Sequence, residues 1–249
     1  MFLELSEILV CPRCRPRQGL IVMVDELDDR RVVAGDLGCP RCEARYPVRR
    51  GLVLFRAPAD GAPAAGDGDE GRGDAAGGED PSGTGRAYSE RPPLEAVGLF
   101  RGADTAESAT RLSALLGLPG PEGPVLLGEG LAALAADVAL RAEGVEVLAL
   151  ERGIGAREDG ETEEAGPGAV TRIVGASAVD LPFFAGRLAG AAVLAPPPGE
   201  VREAARVLGE DGRLVLVEPD TGAREAAATE GLEVVADDER ALVAVRRRR

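Results

Sequence analysis

The chain contains four cysteines, arranged as two Cys-x-x-Cys pairs, Cys11-Pro12-Arg13-Cys14 and Cys39-Pro40-Arg41-Cys42. Each pair places two thiols on one side of a tight turn. A hairpin between the pairs, predicted from strands at 20–25 and 31–37 around a turn at 28–30, would bring all four together. Four thiolates in a tetrahedron suit Zn²⁺. We therefore predict that Cys11, Cys14, Cys39 and Cys42 hold a structural zinc ion, with no coordination position left for water.

Two other roles for these cysteines are disfavoured. Disulfides are typical of exported proteins, and the start, Met1-Phe2-Leu3-Glu4, lacks the basic flank of a secretory signal. A redox Cys-x-x-Cys motif is expected once, beside a βαβ unit, rather than twice around a hairpin. Zinc is the favoured interpretation, and the chain is predicted to be cytoplasmic.

The composition excludes several kinds of chemistry. There is no histidine, and all 29 basic residues are arginine. A histidine general base, a Ser-His-Asp triad, a lysine Schiff base and a P-loop lysine are therefore excluded. The net charge of −14 argues against nonspecific binding of nucleic acids or anionic membranes by the whole surface. No apolar run is long enough to predict a membrane-spanning helix.

The chain divides where apolar side chains are missing. Between 56 and 93 there is no Val, Ile, Leu, Met or Phe, and the segment consists largely of Gly, Ala, Pro and acidic residues. Such a segment cannot bury enough apolar surface to offset the entropy of ordering it. We predict a disordered acidic linker at 57–92, between a zinc-ribbon domain at 1–56 and a second domain at 93–249.

The second domain alternates between strand and helix patterns. The pattern predicts a parallel sheet covered by helices on both faces, closed by an antiparallel hairpin and interrupted after its second strand by an acidic, Gly-rich segment at 152–168. The fold class is α/β: a small Cys₄ zinc ribbon followed by a doubly wound, mostly parallel, Rossmann-like sheet. Predicted strands are 125–127, 145–150, 170–174, 191–195, 214–218, 232–235 and 241–245, and predicted helices are 104–116, 131–142, 200–208 and 223–230.

The N-terminal domain resembles a known family. The segment from Leu5 to Cys14, the second cysteine pair and Tyr46-Pro47-Val48 through Phe55 resemble the zinc-ribbon activator subunits that partner methyltransferases of tRNA, ribosomal RNA and translation factors. The resemblance covers 2–56. Arg50 and Val53 stand where the family usually has Asp and Pro. The resemblance implies a protein-binding module that pairs with a methyltransferase, either another chain or its own C-terminal domain.

A candidate cofactor site follows the first strand of the second domain. Gly128 and Gly130 lie in a turn between a strand and a helix, where backbone can approach a cofactor. Glu151 ends the next strand, 21 residues after Gly130, at the position of an acid that binds ribose hydroxyls.

The second domain, over about 95–246, resembles a class I S-adenosylmethionine-dependent methyltransferase. The resemblance is strongest from Arg206 to Leu208 and from Gly212 to Pro219. It implies that Gly128 and Gly130 approach the methionine moiety and that Glu151 holds the ribose. Other usual polar positions are apolar here: Leu126, Ala176 and Ala195 replace two acids and the Asn or Asp that precedes Pro-Pro in amino-methylating enzymes.

Three hypotheses follow. The first is a zinc-binding protein with a methyltransferase-like domain whose cofactor motif is eroded, acting as a non-catalytic scaffold or as a regulatory partner of a methyltransferase. The second is an active S-adenosylmethionine-dependent methyltransferase with its activator fused in cis. The third is an RNA-associated protein led by its arginines, which the net charge disfavours.

Overall fold

A computed structural model of the chain describes residues 1–14, 17–55, 91–120, 122–142, 144–151 and 170–247. Nearly all of the predicted linker, and the acidic segment at 152–168, lie outside the described residues. The disorder of the linker and the domain boundaries therefore stay predictions.

The N-terminal part is a small antiparallel sheet. Its hairpin is the one predicted from the sequence, and Asp29 and Arg30 form the turn with φ of +38° and +63°. Two consecutive residues with positive φ give a turn whose twist matches that of the flanking strands. The strands are β1 (Ile21–Asp28), β2 (Arg31–Gly38), β3 (Arg45–Arg49) and β4 (Leu52–Leu54), preceded by a 3₁₀ turn at Leu3–Glu7.

The described residues from 91 onward alternate between strands and helices, as predicted. Helix α1 begins after Asp104, whose side chain accepts a hydrogen bond from the Glu107 N–H, and ends at Gly117 with φ of +76°. The strands are β5 (Val125–Leu127), β6 (Val147–Glu151), β7 (Val170–Val174), β8 (Leu188–Leu194), β9 (Leu208–Val217), β10 (Glu233–Asp237) and β11 (Ala241–Val245); the helices are α1 (Thr105–Leu116), α2 (Ala135–Ala139), α3 (Pro198–Val207) and α4 (Thr221–Thr229).

These strands form a mixed sheet in the order β7-β6-β5-β8-β9-β11-β10. Strands β5 to β9 pair in parallel, whereas β11 runs antiparallel between β9 and β10. The predicted closing hairpin is therefore confirmed. Separate apolar clusters cover the two faces of the sheet, one on the side of α1 and α2 and one on the side of α3 and α4.

The N-terminal sheet continues this sheet through the pairing of β4 with β7. The two strands are parallel, with Leu52 opposite Arg172 and Leu54 opposite Val174. The Arg172 N–H donates to the Gly51 carbonyl, and the Phe55 N–H donates to the Val174 carbonyl, both at 2.8 Å. Together the described strands form one sheet of eleven. The edge of β7 is thereby covered by the chain's own ribbon.

A second contact joins the two parts beside the cysteines. Leu9 and Phe183 form an antiparallel bridge, and the Val10 N–H donates to the Pro182 carbonyl at 2.9 Å. Phe183 is fully buried, in an apolar cluster that includes Leu5 and Tyr46 from one part and Ile173 from the other. The sequence left open whether the ribbon folds back on its own chain. In this structure it does, and the two parts share one core.

Candidate metal centre and candidate cofactor crevice

The four cysteines converge on one point. Their Sγ atoms all lie within 4.8 Å of one another, with Cys11 3.6 Å from Cys42 and Cys14 3.6 Å from Cys39. A zinc ion bound by four sulfurs at about 2.3 Å has sulfur–sulfur distances of about 3.8 Å. The cluster therefore fits a structural Zn²⁺ site.

The surroundings of the cluster differ from one thiol to the next. Cys11, Cys14 and Cys39 are buried, whereas Cys42 is exposed. The hydroxyl of Tyr46, which is fully buried on β3, lies at hydrogen-bond distance from Cys11 Sγ, 3.2 Å. The Tyr46 ring packs against Phe55, with centroids 5.0 Å apart. These contacts connect the cluster to the shared core.

Burial raises the pKa of the Cys11 thiol. Burial, followed by hydrogen bonds from neighbouring thiols, raises the pKa of Cys14 to about 12. Burial also acts to raise the pKa of Cys39, but backbone N–H donors of Cys42 and Arg41 outweigh it and lower that pKa to about 7. Four thiolates this close need a cation, and a divalent metal ion supplies that charge.

The predicted cofactor residues lie at the carboxyl ends of the central strands. Connections leave β5 and β8 toward opposite sides of the sheet, which is where open α/β sheets bind ligands. We call the space between the turn after β5 and the start of α3 the switch-point crevice. A Cβ on Gly128 would lie 2.9 Å from Val193 Cγ1, and Gly130 has φ of +84°. Packing against β8 and backbone conformation account for both glycines.

Glu151, the predicted ribose ligand, ends β6 and is already paired. Its carboxylate forms an ion pair with Arg172 of β7. Both side chains are partly exposed, at 29% for Glu151 and 39% for Arg172. The structure therefore brings Gly128 and Gly130 into one turn but gives Glu151 an internal partner. No short-range pattern in the sequence predicts that partner, because Arg172 lies on a different strand.

The apolar replacements noted in the sequence are packed. Leu126 and Ala176 are buried, at 1% and 7% exposure, in the apolar cluster that continues into the ribbon. Ala195 has φ of +43° at the end of β8. Side chains that would hydrogen-bond a nucleoside or a target amine are therefore absent at these three described positions.

Two residues of the switch-point crevice were missed from the sequence. Arg91 Nη2 donates to both carboxylate oxygens of Glu200, at 2.7 and 2.6 Å, and Nη1 donates to the Glu129 carbonyl at 2.7 Å. Glu200 is in the first turn of α3 and its side chain is 1% exposed. A glutamate buried to this degree needs an internal cation. Burial is not visible in the sequence, so the sequence signal for this pair is weak.

A second internal ion cluster was also missed. Glu203 of α3 accepts hydrogen bonds from Arg17 at 3.1 Å and from Arg206 at 2.7 Å, and its Oε1 also accepts the Leu181 N–H. Arg17 further pairs with Asp180 at 2.7 Å. Because Arg17 belongs to the ribbon and the other residues to the second part, this cluster helps to join them.

The N-terminal part of the chain matches a known protein family. Residues 3–51 match the family model of the Trm112p-like proteins. The resemblance of the ribbon to methyltransferase activators is therefore confirmed for this Trm112p-like region. No curated protein matches the chain.

Among solved structures, the chain is similar to a geranyl diphosphate C-methyltransferase from Streptomyces coelicolor A3(2), with 14% identity, a TM-score of 0.46 and 57% of this chain and 76% of that chain covered. It is also similar to a chain of the complex between the Haloferax volcanii Trm112 methyltransferase activator and a methyltransferase, with 16% identity, a TM-score of 0.42 and coverage of 56% and 90%. An antibiotic-resistance methyltransferase has 14% identity, a TM-score of 0.40 and coverage of 57% and 93%.

All three structures have TM-scores below 0.5 against this chain. The mixed α/β architecture, with its largely parallel sheet, is the fold class that the sequence predicts. Within the part of the chain that the structure describes, no helix is long and apolar enough to cross a membrane.

Proposed function

We propose that this chain is a non-catalytic scaffold or regulatory protein, in which a zinc ribbon is docked on a methyltransferase-like domain of the same chain. The observation that carries the proposal is the ion pair between Glu151 and Arg172. Glu151 is the one acidic residue that the sequence offers for a cofactor ribose, and its carboxylate is engaged within the protein.

Docking of the ribbon supports this arrangement. Arg172 lies on β7, the strand that β4 pairs with, and its backbone N–H donates to the Gly51 carbonyl of the ribbon at 2.8 Å. The ribbon thus positions the strand whose side chain neutralises Glu151. Since β4 pairs with β7 of its own chain, the domain that this ribbon serves is its own. Covalent linkage favours such pairing over a separate partner by raising the effective concentration.

The metal in this proposal is structural. Cys11, Cys14, Cys39 and Cys42 are proposed as the four ligands of one Zn²⁺. Four sulfur ligands leave no coordination position for a water or a substrate. The ion stabilises the two Cys-x-x-Cys turns of a small module and takes no part in a reaction.

Two apolar residues, Leu126 and Ala176, are a further reason to expect that the cofactor binds weakly. A hydrogen bond to a charged group contributes about 1.5–3 kcal/mol. With Leu126 and Ala176 in place of two such partners, the affinity for S-adenosylmethionine is expected to fall by roughly 10²–10⁴-fold relative to a complete site.

Calorimetric titration of S-adenosylmethionine into the full chain, with one zinc per chain verified, tests the proposal. We expect no binding heat up to millimolar cofactor. Arg172→Ala, which releases Glu151 without touching the crevice turn, serves as a matched variant. We expect its affinity for S-adenosylmethionine to be higher than that of the wild type but still weaker than micromolar, because Leu126 and Ala176 remain. A micromolar dissociation constant in the wild type, lost in Glu151→Ala, would contradict the proposal.

That contrary result would support the alternative, an active S-adenosylmethionine-dependent methyltransferase with its activator fused in cis. One observation favours it: the turn containing Gly128 and Gly130 follows the central strand β5, and Gly130 is exposed. In that case the two glycines would approach the methionine moiety and Glu151 would exchange Arg172 for the ribose hydroxyls.

A further inference from the structure

Arg91 makes a set of contacts in the switch-point crevice that resembles ligand recognition more than surface pairing. One nitrogen of its guanidinium contacts both oxygens of Glu200, and a second contacts the Glu129 carbonyl, all between 2.6 and 2.7 Å. The side chains of Arg91 and Glu200 are 14% and 1% exposed. Charge-assisted hydrogen bonds at a site this poorly hydrated are strong and directional.

The crevice fits a guanidinium on both sides. Glu200 lies in the first turn of α3, which begins at Pro198, and the start of a helix favours a negative charge. On the other side, a Cβ at Gly130 would lie 3.7 Å from Arg91 Cδ, so the glycine turn lies against the arginine stem. The carboxylate and the carbonyl thus accept from one planar group between them.

The segment that carries Arg91 is held rigidly on its C-terminal side. Pro92 and Pro93 follow directly, and their rings restrict the backbone of Arg91 as well as their own. Val97 and Phe100, each 1% exposed, then anchor the segment in the apolar cluster beside α1. Little further backbone entropy is therefore lost when Arg91 binds.

We propose that the switch-point crevice is a binding site for a guanidinium group, and that Arg91 occupies it in cis. Arg91 is the second-last residue of the linker predicted at 57–92, so its binding fastens the C-terminal end of that linker to the methyltransferase-like sheet. An arginine side chain from another polypeptide has the same chemistry and competes for the same acceptors. This inference goes beyond the proposed function, because it holds whether or not S-adenosylmethionine binds.

The experiment is a chemical rescue in the full, zinc-loaded chain. Arg91→Gly removes the guanidinium, and we expect the Tm to fall by roughly 5–15 °C, as for a broken buried ion pair in a chain of this size. Methylguanidinium at low millimolar concentration is expected to restore part of that loss while leaving the wild-type Tm unchanged. Methylammonium, which has the charge without the planar fork, is expected to restore less.

The matched control is the double variant Arg91→Gly/Glu200→Gln, which lacks both the guanidinium and the acceptor charge. We expect methylguanidinium to leave its Tm unchanged. Equal effects of methylguanidinium on the single and the double variant would overturn the proposal. The peptide acetyl-Gly-Arg-Gly-amide distinguishes the two sources: stabilisation of Arg91→Gly and not of the wild type is the result expected if Arg91 holds the site in cis.

A second variant keeps the test decisive if Arg91→Gly does not fold. Arg91→Lys retains the charge and the aliphatic stem but cannot make the forked contact. We expect a Tm below that of the wild type, whereas a Tm equal to the wild type would overturn guanidinium recognition. All of these measurements are made without cofactor, so failure of the proposed non-catalytic function would not change their outcome.

Discussion

The cysteine cluster and the switch-point crevice are two regions where polar groups converge, and they treat those groups differently. At the cysteine cluster four thiols lie within 4.8 Å of one another, an arrangement that an added cation completes. At the crevice and on the neighbouring strands, Glu200 and Glu151 are each paired with an arginine of the same chain. One region is arranged for a ligand from outside and the other is neutralised from within. The predictions below test whether that difference holds in solution, and whether the two regions are energetically one.

Removal of zinc has the largest expected effect. Structural zinc contributes about 10–16 kcal/mol of apparent binding energy in small modules, so chelation or Cys14→Ser should lower the Tm by roughly 10 °C or more. Circular dichroism with metal analysis measures both. Ser6→Ala, a nearby change outside the cluster, should have little effect. An unchanged Tm after verified loss of zinc would remove the contrast with the crevice.

Phe183→Ala tests whether the ribbon, which carries the cysteine cluster, and the sheet, which carries the crevice, share a core. Phe183 is fully buried where the second part meets the ribbon, and we expect a loss of about 3–5 kcal/mol in the free energy of unfolding. Phe184→Ala is the matched control, since Phe184 is half-buried and should cost less. Urea unfolding followed by near- and far-ultraviolet dichroism should show one coincident transition. Two separated transitions would mean that ribbon and sheet unfold independently.

Arg17→Ala tests whether a partly buried ion cluster stabilises the protein more than an exposed ion pair does. Arg17 contacts Asp180 and Glu203 with its side chain 22% exposed, and we expect a loss of about 1.5–3 kcal/mol. Arg30→Ala breaks an ion pair with Glu4 whose side chains are 73% and 48% exposed, so its loss should stay below about 1 kcal/mol. Chemical denaturation of both variants measures the difference. Equal losses would show that burial adds nothing to these pairs.

The smallest expected effect concerns pH. Burial raises the pKa of Glu146, although Thr171 and Arg31 oppose the shift. A carboxyl with a raised folded pKa favours folding most below its ordinary pKa of 4.5, and that contribution is lost as the pH rises through the folded value. Glu146→Gln should therefore gain stability relative to the wild type at neutral pH, with the gain vanishing below pH 4.5. Tm measured against pH tests this, and a constant difference between the proteins at all pH values would contradict it.

Local pattern predicted most of the elements. The predicted helix at 104–116 matches α1 nearly to the residue, and the predicted strand at 170–174 matches β7. The predicted helix at 131–142 is instead a 3₁₀ turn at Ala132–Leu134 followed by the short α2. Its run of alanines lacks a capping side chain at its start, so nothing local marked that start. Strand β8 begins at Leu188 rather than 191, because a strand buried on both faces shows no alternation that would mark its end.

The candidate sites divide in the same way. The spacing of the cysteines was enough to predict their cluster, because each Cys-x-x-Cys turn is local and a single hairpin joins the two turns. Gly128 and Gly130 were recognised from a turn, which is also local. The partners Arg172 and Arg91 were not predicted, because each lies on an element far from its glutamate in sequence and no short-range pattern links them.

The sequence by itself determined the cysteine cluster, the strand–helix alternation and the closing hairpin, because these depend on residue types over short spans. Tertiary structure decided that β4 pairs with β7, that one core joins ribbon and sheet, and that Arg91 and Arg172 neutralise Glu200 and Glu151. Backbone hydrogen bonds in a sheet are the same for any edge strand, so pairing is chosen by side-chain packing over long distances. The two ion pairs follow from that packing, because each arginine meets its glutamate only once the sheet has formed.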